Sequence, residues 1–511
     1  MYVSLLQPKL VPAEIAQNAQ EIISRLDYDM RQANADTPLY VCGCETTIGT
    51  SCSALQHLDS VTVEQLRALK KIQRHLGEAC MLIGGVQLNL QVEPLRLQHQ
   101  IFFLTRTSLI SLLPLGACAI GSANGFRIEE ERYELAIDVR NWGDYYYLNL
   151  RFAAPEKKEF HIYMNARIPV FTPYSLEKTL PLFKRYCKDS VYISNRVGMF
   201  NGQLQGGYSI YCPNGRGKKE REIHAPVPDV LGQQEYLKDF PQRTAEFQYK
   251  MTVRALKLFF DNAGQKKAIL GLSGGIDSAL VLVLAAEALG AENVLGLIMP
   301  SQYTADASIT SAQQLAKNLG VETKIIPITP LTNAYLNALE PYFAGLPTDT
   351  TEENLQARVR AVLLMAFSNK FGHILLNTSN KSECAVGYST MYGDACGAVS
   401  VIGALYKTEV YEIARWINRE QEIIPHFIID RPPSAELRPD QTDQDSLPPY
   451  DMLDALLVEL LDKGKRAERI HLPNVTKETV ARVARLVKNA AYKRYQMPPC
   501  LRIAPDSFFD K

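Results

Sequence analysis

The sequence predicts an α/β protein of two domains, the second built on a doubly wound parallel sheet. Three observations carry this. The chain has 511 residues, more than one hydrophobic core usually supports. From Ala268 onward apolar β runs alternate with helical periods, the pattern that sets parallel strands beneath crossover helices. The first of those strands, Ala268-Ile-Leu270, runs through Gly271-Leu-Ser-Gly-Gly-Ile-Asp-Ser278 into an apolar helix, Ala279–Leu289. Glycines there let backbone approach an anion, Ser273 and Ser278 add hydroxyl donors, and the helix N-terminus adds unpaired N–H groups and positive dipole. The expected ligand is pyrophosphate, with Asp277 placed to hold a divalent cation against it. No Gly-Lys-[Ser/Thr] follows, so the loop is not of the Walker type.

Composition narrows the class. Lysine plus arginine and aspartate plus glutamate each number 55, which leaves no charge argument for nucleic acid or a membrane surface. The opening Met1–Lys9 lacks the basic-then-apolar layout of a signal peptide, and the apolar runs are strand-length. The expected location is the cytoplasm. Ten cysteines are scattered at 42, 44, 52, 80, 118, 187, 212, 384, 396 and 500, without a second pair at zinc-site spacing. Buried free thiols are the expectation.

In the first half, Val3–Leu6, Thr37–Cys42, Cys80–Gln87, Gln100–Thr105 and Leu135–Val139 read as strands, and Ala13–Ala33 and Thr62–Leu76 as helices. Val191–Gly198 and Gly206–Gly215 end this half with a strand closed by Pro-Asn-Gly. Residues 226–243 carry Pro226, Pro228, Gly232 and Pro241, the mark of a linker. A helix from Thr244 through Phe260 should open the second domain, 244–511. Strands are then expected at Val294–Pro300, Thr323–Ile328 and His373–Asn377, with helices at Ala307–Leu319, Glu353–Phe371 and Lys407–Arg419.

Residues 1–225 resemble the nitrilase (carbon–nitrogen hydrolase) superfamily. The resemblance rests on the opening strand with Asn18 in the next helix, on Cys44-Glu45-Thr-Thr-Ile-Gly49, and on the Gly-x-Ser-x-x-x-Pro-x-Gly run at 207–215. It implies an α-β-β-α sandwich. The family's chemistry joins a glutamate base, a lysine that steadies the oxyanion and a cysteine nucleophile. Glu45 matches the glutamate. Ile110, ahead of Leu113-Pro114, stands near the lysine position, and Asp138 in Ile137-Asp-Val-Arg-Asn-Trp142 stands at the cysteine position. No lysine occurs between Lys71 and Lys157, and no cysteine between Cys118 and Cys187. A carboxylate is a poor nucleophile towards an amide, and loss of a covalent nucleophile costs about 10⁶ in turnover. The expectation is a pseudo-amidotransferase domain, Glu45, Ile110 and Asp138 marking a degenerate, inactive site.

Across about 245–502 the chain resembles NAD synthetases, nearest their glutamine-dependent branch. The motifs are the phosphate loop, Glu352-Glu-Asn-Leu-Gln-Ala-Arg-Val-Arg360, Asn377-Thr-Ser-Asn-Lys-Ser-Glu383, Val386–Asp394, Lys407-Thr408, Pro432–Gln441, Asp445–Tyr450 and Tyr492–Pro499. The resemblance implies an ATP-pyrophosphatase domain that adenylates the nicotinate carboxylate of deamido-NAD. Pyrophosphate leaves, and ammonia then displaces AMP to give NAD.

It assigns ATP to Gly271, Ser273, Gly274, Gly275, Asp277, Ser278, Thr378, Lys407 and Ser434. Deamido-NAD falls to Asn354, Arg358, Glu383, Asp394 and Lys493, with Arg360 suited to phosphate beside Arg358. Mg2+ falls to Asp277 and Glu383, and the reacting groups are Asp277, Lys407 and Asp394. The sequence departs from that branch in Gly403-Ala-Leu-Tyr before Lys407, where a Lys-Asp pair is usual, and in Ser379 after Thr378. Altered affinity is expected there, not lost function. Partners expected on this reading are ATP, deamido-NAD and free ammonia, a second copy of the chain in at least a dimer, and, as the alternative nitrogen source, a separate glutaminase. The competing class is a binding or assembly protein with both halves silent.

Overall fold

The computed structural model describes residues 2–6, 10, 14–32, 38–42, 46, 58–89, 96–113, 123–130, 133–141, 145–152, 158–165, 191–194, 197–200, 203–206, 209–212, 222–224, 236–237, 244–439, 441–501 and 503. The chain divides into two compact units, Met1–Gln242 and Arg243–Lys511. Most of 226–243, expected as the linker, lies outside the described residues.

In the first unit β1 (Tyr2–Leu5), α1 (Ile15–Gln32), β2 (Pro38–Val41), α2 (Leu58–Gln73), β3 (Cys80–Asn89), β4 (Arg96–Leu104) and β5 (Leu109–Ser111) come first. Their strands form one sheet in the order β1-β2-β3-β4-β5. β1 to β3 are parallel and β4 and β5 antiparallel. Then come β6 (Ala123–Glu130), β7 (Tyr133–Asn141), β8 (Tyr145–Phe152), β9 (Lys158–Asn165), β10 (Val191–Ser194), the hairpin β11 (Val197–Phe200) and β12 (Gln203–Gly206), and β13 (Ser209–Cys212), β14 (Glu222–His224) and β15 (Tyr236–Leu237). Apart from the hairpin these make an eight-stranded sheet.

Period-two alternation stacks the layers. On β2, Tyr40 packs with Ile22, Leu26 and Leu69 of the two helices, while its neighbours Leu39 and Val41 face Ile137, Val139, Leu148 and Leu150 of the second sheet. Helices, sheet and sheet thus lie in order. The outer helical layer of the expected sandwich falls outside the described residues.

The second unit opens with α3 (Ala245–Ala263), β16 (Ala268–Gly271), α4 (Ile276–Leu289), β17 (Val294–Ile298), α5 (Asp306–Leu319) and β18 (Glu322–Ile325). α6 (Thr329–Phe343), α7 (Thr350–Phe371), β19 (Ile374–Asn377), α8 (Lys381–Val386), β20 (Val399–Ser400) and α9 (Lys407–Ile417) follow. Last are α10 (His426–Asp430), α11 (Tyr450–Leu457), α12 (Lys477–Asn489) and α13 (Ala491–Arg494). The strand order is β18-β17-β16-β19-β20, all parallel. α4 is buried nearly all round, as a helix with apolar residues on every side should be. α7 covers the opposite face, where Val359 and Leu364 pack on Ile269, Leu297 and Leu375. The order reverses between β16 and β19. A crevice at the carboxyl ends of strands opens at such a switch point, the usual ligand site of this architecture.

Among the described residues Cys42, Cys80, Cys384 and Cys500 are free and buried, and Cys396 is free and half-buried. Burial pushes the Cys42 thiol up to about 12, so it stays protonated. No helix among the described residues is long and apolar enough to cross a membrane.

Candidate active site

The crevice is lined by Gly271, Ser273, Gly275, Asp277 and Ser278 after β16, by Thr378 and Glu383 after β19, and by Asp394, Lys407 and Ser434 from later loops and α9. Gly274 shapes its rim. Its φ is +80°, and an added Cβ would lie 2.4 Å from the Ser308 carbonyl oxygen at the start of α5. Only glycine lets the loop turn there and pass so close to that backbone. Gly275 caps α4 without a side chain, leaving the helix N-terminus open to an anion. Ser273 and Ser278 hydroxyls stand 3.1 Å apart. The Gly275 N–H donates to Ser273 Oγ at 3.2 Å, and Ser278 Oγ donates to the Gly275 carbonyl at 3.0 Å.

Charge gathers beside this loop. The Lys407 ammonium, 2% exposed, donates to Asp277 Oδ2 at 2.5 Å and to Glu383 Oε1 at 3.2 Å. Burial works against its charge, but Asp277 and Glu383 outweigh it and hold its pKa above the lysine range. Glu383 shifts towards its neutral form, chiefly through burial. Lys407 opposes that shift while Asp277 and Asp443 reinforce it. One cation serves two carboxylates here, and the shorter bond goes to Asp277. Asn380 ties the group together, its Nδ2 donating to Asp277 Oδ1 at 2.9 Å. It also caps α8 in a reciprocal box with Glu383.

A pair of hard carboxylates astride one cation, next to a phosphate loop, fits Mg2+. Among the described residues no three histidine, cysteine or acidic side chains converge at metal spacing. Two carboxylate donors are the protein share usual for magnesium at nucleotide sites, where phosphate oxygens and water complete the shell.

Further along, Asp394 lines the crevice and is exposed to it. Desolvation by the protein packed around the carboxyl raises its pKa, against the pull of the Thr390 N–H and Lys493. Thr390 N donates to Asp394 Oδ1 at 2.6 Å, and Thr390 Oγ1 donates to Asn354 Oδ1 at 2.6 Å. Lys493 Nζ donates to the carbonyls of Gly387 and Ser389 at 2.8 and 2.7 Å. Asn354 and Lys493 thus brace the segment that carries Asp394. Arg360 joins the crevice wall with Nε on the Met299 carbonyl at 3.0 Å, and burial lowers its pKa to about 10, still cationic at neutral pH. Arg358 is exposed, its Nε 3.3 Å from the Met391 carbonyl, and is not among the lining residues.

Two participants, Asp443 and Asp454, lie outside the sequence motifs. Asp443 accepts from Tyr450 Oη at 2.8 Å and lines the crevice with Tyr388. Asp454, buried on α11, accepts from Ser382 Oγ at 2.5 Å and from the Thr408 N–H at 2.9 Å. The Lys407 N–H donates to Ser382 Oγ at 2.9 Å. Asn380-x-x-Glu383 carries a readable signal, the capping-box spacing; the bonds of Asp454 join residues 72 and 46 apart in sequence and leave none.

In the first unit Ile110 packs against the core between the two sheets. Asp138 sits on β7 between the core residues Ile137 and Val139, so its side chain takes the other face, where Arg151 Nη2 donates to Oδ2 at 2.7 Å. The two positions are therefore not brought together. Glu45 lies outside the described residues.

Residues 248–498 match the NAD synthase family model. The chain is 48% identical over 280 residues to the glutamine-dependent NAD(+) synthetase of Synechocystis sp., covering 55% of this chain and 50% of that one. It is 49% identical over 270 residues to the Thermotoga maritima protein of the same name, covering 52% and 47%. The chain thus spans about half the length of the curated relatives it matches. The solved glutamine-dependent NAD+ synthetase of Acinetobacter baumannii, in complex with ADP, is 26% identical with a TM-score of 0.66, covering 99% of this chain and 97% of that one. A Cytophaga hutchinsonii enzyme of that name superposes with a TM-score of 0.73 at 17% identity, covering 99% and 96%, and shares the fold. The two-domain α/β architecture is common to all of the chain, whereas the high identity covers only about half of it.

Proposed function

From the match of residues 248–498 to the NAD synthase family model, we propose that the protein amidates deamido-NAD to NAD, converting ATP to AMP and pyrophosphate. The observation that carries this is the meeting of the Ser273–Ser278 loop, Lys407 and the Asp277/Glu383 pair at the sheet's switch point. An acyl adenylate forms when the nicotinate carboxylate attacks the α-phosphorus and pyrophosphate departs. The barrier lies mostly in placing the reactants and neutralising the charge that develops. The loop amides, the Ser273 and Ser278 hydroxyls and the α4 N-terminus cradle that charge, and Lys407 stands beside them. Asp277 and Glu383 would hold Mg2+, which supplies further neutralisation of the pyrophosphate. Asp394, braced by Thr390 and Lys493, faces the space where the nicotinate and the incoming nitrogen would meet. Ser434 and Thr378 belong to the ATP wall.

The source of nitrogen needs a correction. Free ammonia was the expectation, yet the named relatives are glutamine-dependent. We infer that glutamine is the ultimate donor and that a separate glutaminase releases the ammonia. The chain's own first unit has no lysine between 71 and 157 and no cysteine between 118 and 187. A homodimer through the second unit belongs to the same reading. The purified chain should form NAD and pyrophosphate from ATP, deamido-NAD and ammonium salt, and should give less than a hundredth of that rate with ammonia-free glutamine. No deamido-NAD-dependent pyrophosphate with either donor would sink the synthetase reading. Brisk turnover with glutamine alone would sink the inactive first unit.

A further inference from the structure

We propose that Arg431 is a phosphate-binding residue of the ATP site, one that grips the pyrophosphate end of the nucleotide. This rests on the synthetase reading above and adds a residue that none of the motifs contains. Arg431 follows α10 and contributes to the crevice wall. Its guanidinium lies over the Phe427 ring at 5.5 Å. Nη1 donates to Ser308 Oγ and Nη2 donates to Glu436 Oε1, the latter at 3.0 Å. Ser308 Oγ in turn donates to Glu436 Oε1 at 2.8 Å. Ser308 is the residue whose backbone presses on Gly274, so the guanidinium is one residue removed from the phosphate loop.

Three further features separate this from an ordinary ion pair. An arginine has five N–H donors in a rigid fork; those contacts use two, and among the described residues the other three have no bonded partner. Glu436, not a glycine, holds φ +49°, a left-handed conformation kept only where the surroundings insist on it. Here the result is a carboxylate fixed against the guanidinium. Pro432 and Pro433 follow directly and stiffen the backbone on that side.

Demand for a second cation is clear from charge. Lys407 is already divided between two carboxylates, while a triphosphate brings several negative charges of its own. A planar fork, steadied by a serine, a carboxylate and a ring, matches phosphate oxygens better than a flexible ammonium would. Arg360 serves the other side of the crevice, near Met299.

The full chain should be compared with Arg431→Gln and Arg431→Lys, using inorganic pyrophosphate and AMP as separate inhibitors of NAD formation. Pyrophosphate inhibition should weaken at least tenfold in Arg431→Gln while AMP inhibition stays within twofold, and Arg431→Lys should fall between. Unchanged pyrophosphate inhibition would overturn the proposal, as would equal weakening towards both, which marks a general loosening of the wall. Should Arg431→Gln fail to fold, the double variant Arg431→Gln/Glu436→Gln keeps a neutral hydrogen-bonding pair and carries the same test. Calorimetric titration with pyrophosphate and magnesium separates the two readings. Wild-type protein that binds pyrophosphate through Arg431 yet makes no NAD leaves the residue assignment standing and the activity refuted. Protein that makes NAD with a pyrophosphate affinity indifferent to Arg431 does the reverse.

Discussion

At Gly274 two penalties can be separated by a control. Its φ of +80° and the 2.4 Å approach of a Cβ to the Ser308 oxygen both forbid alanine, whereas Gly264, at φ +62°, has nothing within 4 Å. Left-handed strain alone costs a non-glycine residue about 1–2 kcal/mol. Gly264→Ala should therefore lower the melting temperature modestly and leave the KM for ATP alone. Gly274→Ala should cost more stability and reduce kcat/KM for ATP at least tenfold. Equal KM values would show that the glycine loop does not meet the nucleotide. Lys407 invites a similar separation. Replacing it by methionine leaves the half-buried Asp277 without its cation, which should destabilise the fold. Adding Asp277→Asn removes the carboxylate that makes the shorter bond to Lys407, so chemical denaturation should show part of that stability restored. Activity should stay lost in both. Recovered turnover in the double variant would mean that the lysine is structural.

At the scale of the element, α9 shows how a helix that delivers a reacting cation is held in place. Its N-cap is Tyr406, which gives no side-chain cap, yet the N–H groups of Tyr406, Lys407 and Thr408 are each met. Tyr406 N donates to Glu409 Oε2 at 2.9 Å, and the next two go to Ser382 and Asp454. The cap therefore comes from α8 and α11, and it fixes Lys407 against Glu383 on α8. Asp454→Ala should cost about 1–2 kcal/mol, the usual worth of a cap, and lower kcat as well; thermal melts and steady-state rates check both. A variant that melts early but turns over normally would make the cap purely structural. This trans cap also explains what the sequence could and could not disclose. β16, α4 and the glycine turn were legible because strand, anion loop and helix are contiguous and each obeys a local period. β8 and β9 were missed: their alternation is masked by tyrosines and charges, and cross-strand pairing decided them. α6 was missed because Pro330 and Pro341 lie within it and read locally as breaks. At the site, Asp277, Glu383 and Lys407 belonged to readable motifs. Asp454 acts through Ser382 and Thr408, 72 and 46 residues away, and Arg431 through Ser308, 123 residues away, and no local pattern encodes such a bond.

For the whole molecule, the surface of the second unit carries the remaining argument. α6 and α7 pack on one another, yet Tyr335 is 50% exposed, Tyr342 80%, Val362 62% and Phe371 54%, with Leu346 between the helices at 70%. Scattered exposed apolar residues are ordinary, and a concentration on two neighbouring helices is the kind of surface that the homodimer proposed above would cover. At about 25 cal/mol per Å² of apolar area removed from water, covering such residues outweighs the cost of association only if several are covered together. A second copy of the same surface would do this isologously. Light scattering should give about twice the 57.2 kDa chain mass at micromolar concentration, and Val362→Glu with Leu346→Glu should halve it. A wild-type monomer at that concentration would end the proposal. The paired variant also asks whether the crevice works alone. Asp277, Glu383, Lys407 and Asp394 are all supplied by one chain, so pyrophosphate release from ATP should survive in the monomer at a tenth or more of the wild-type rate. Complete loss in a folded monomer would mean that the partner contributes a residue to substrate binding.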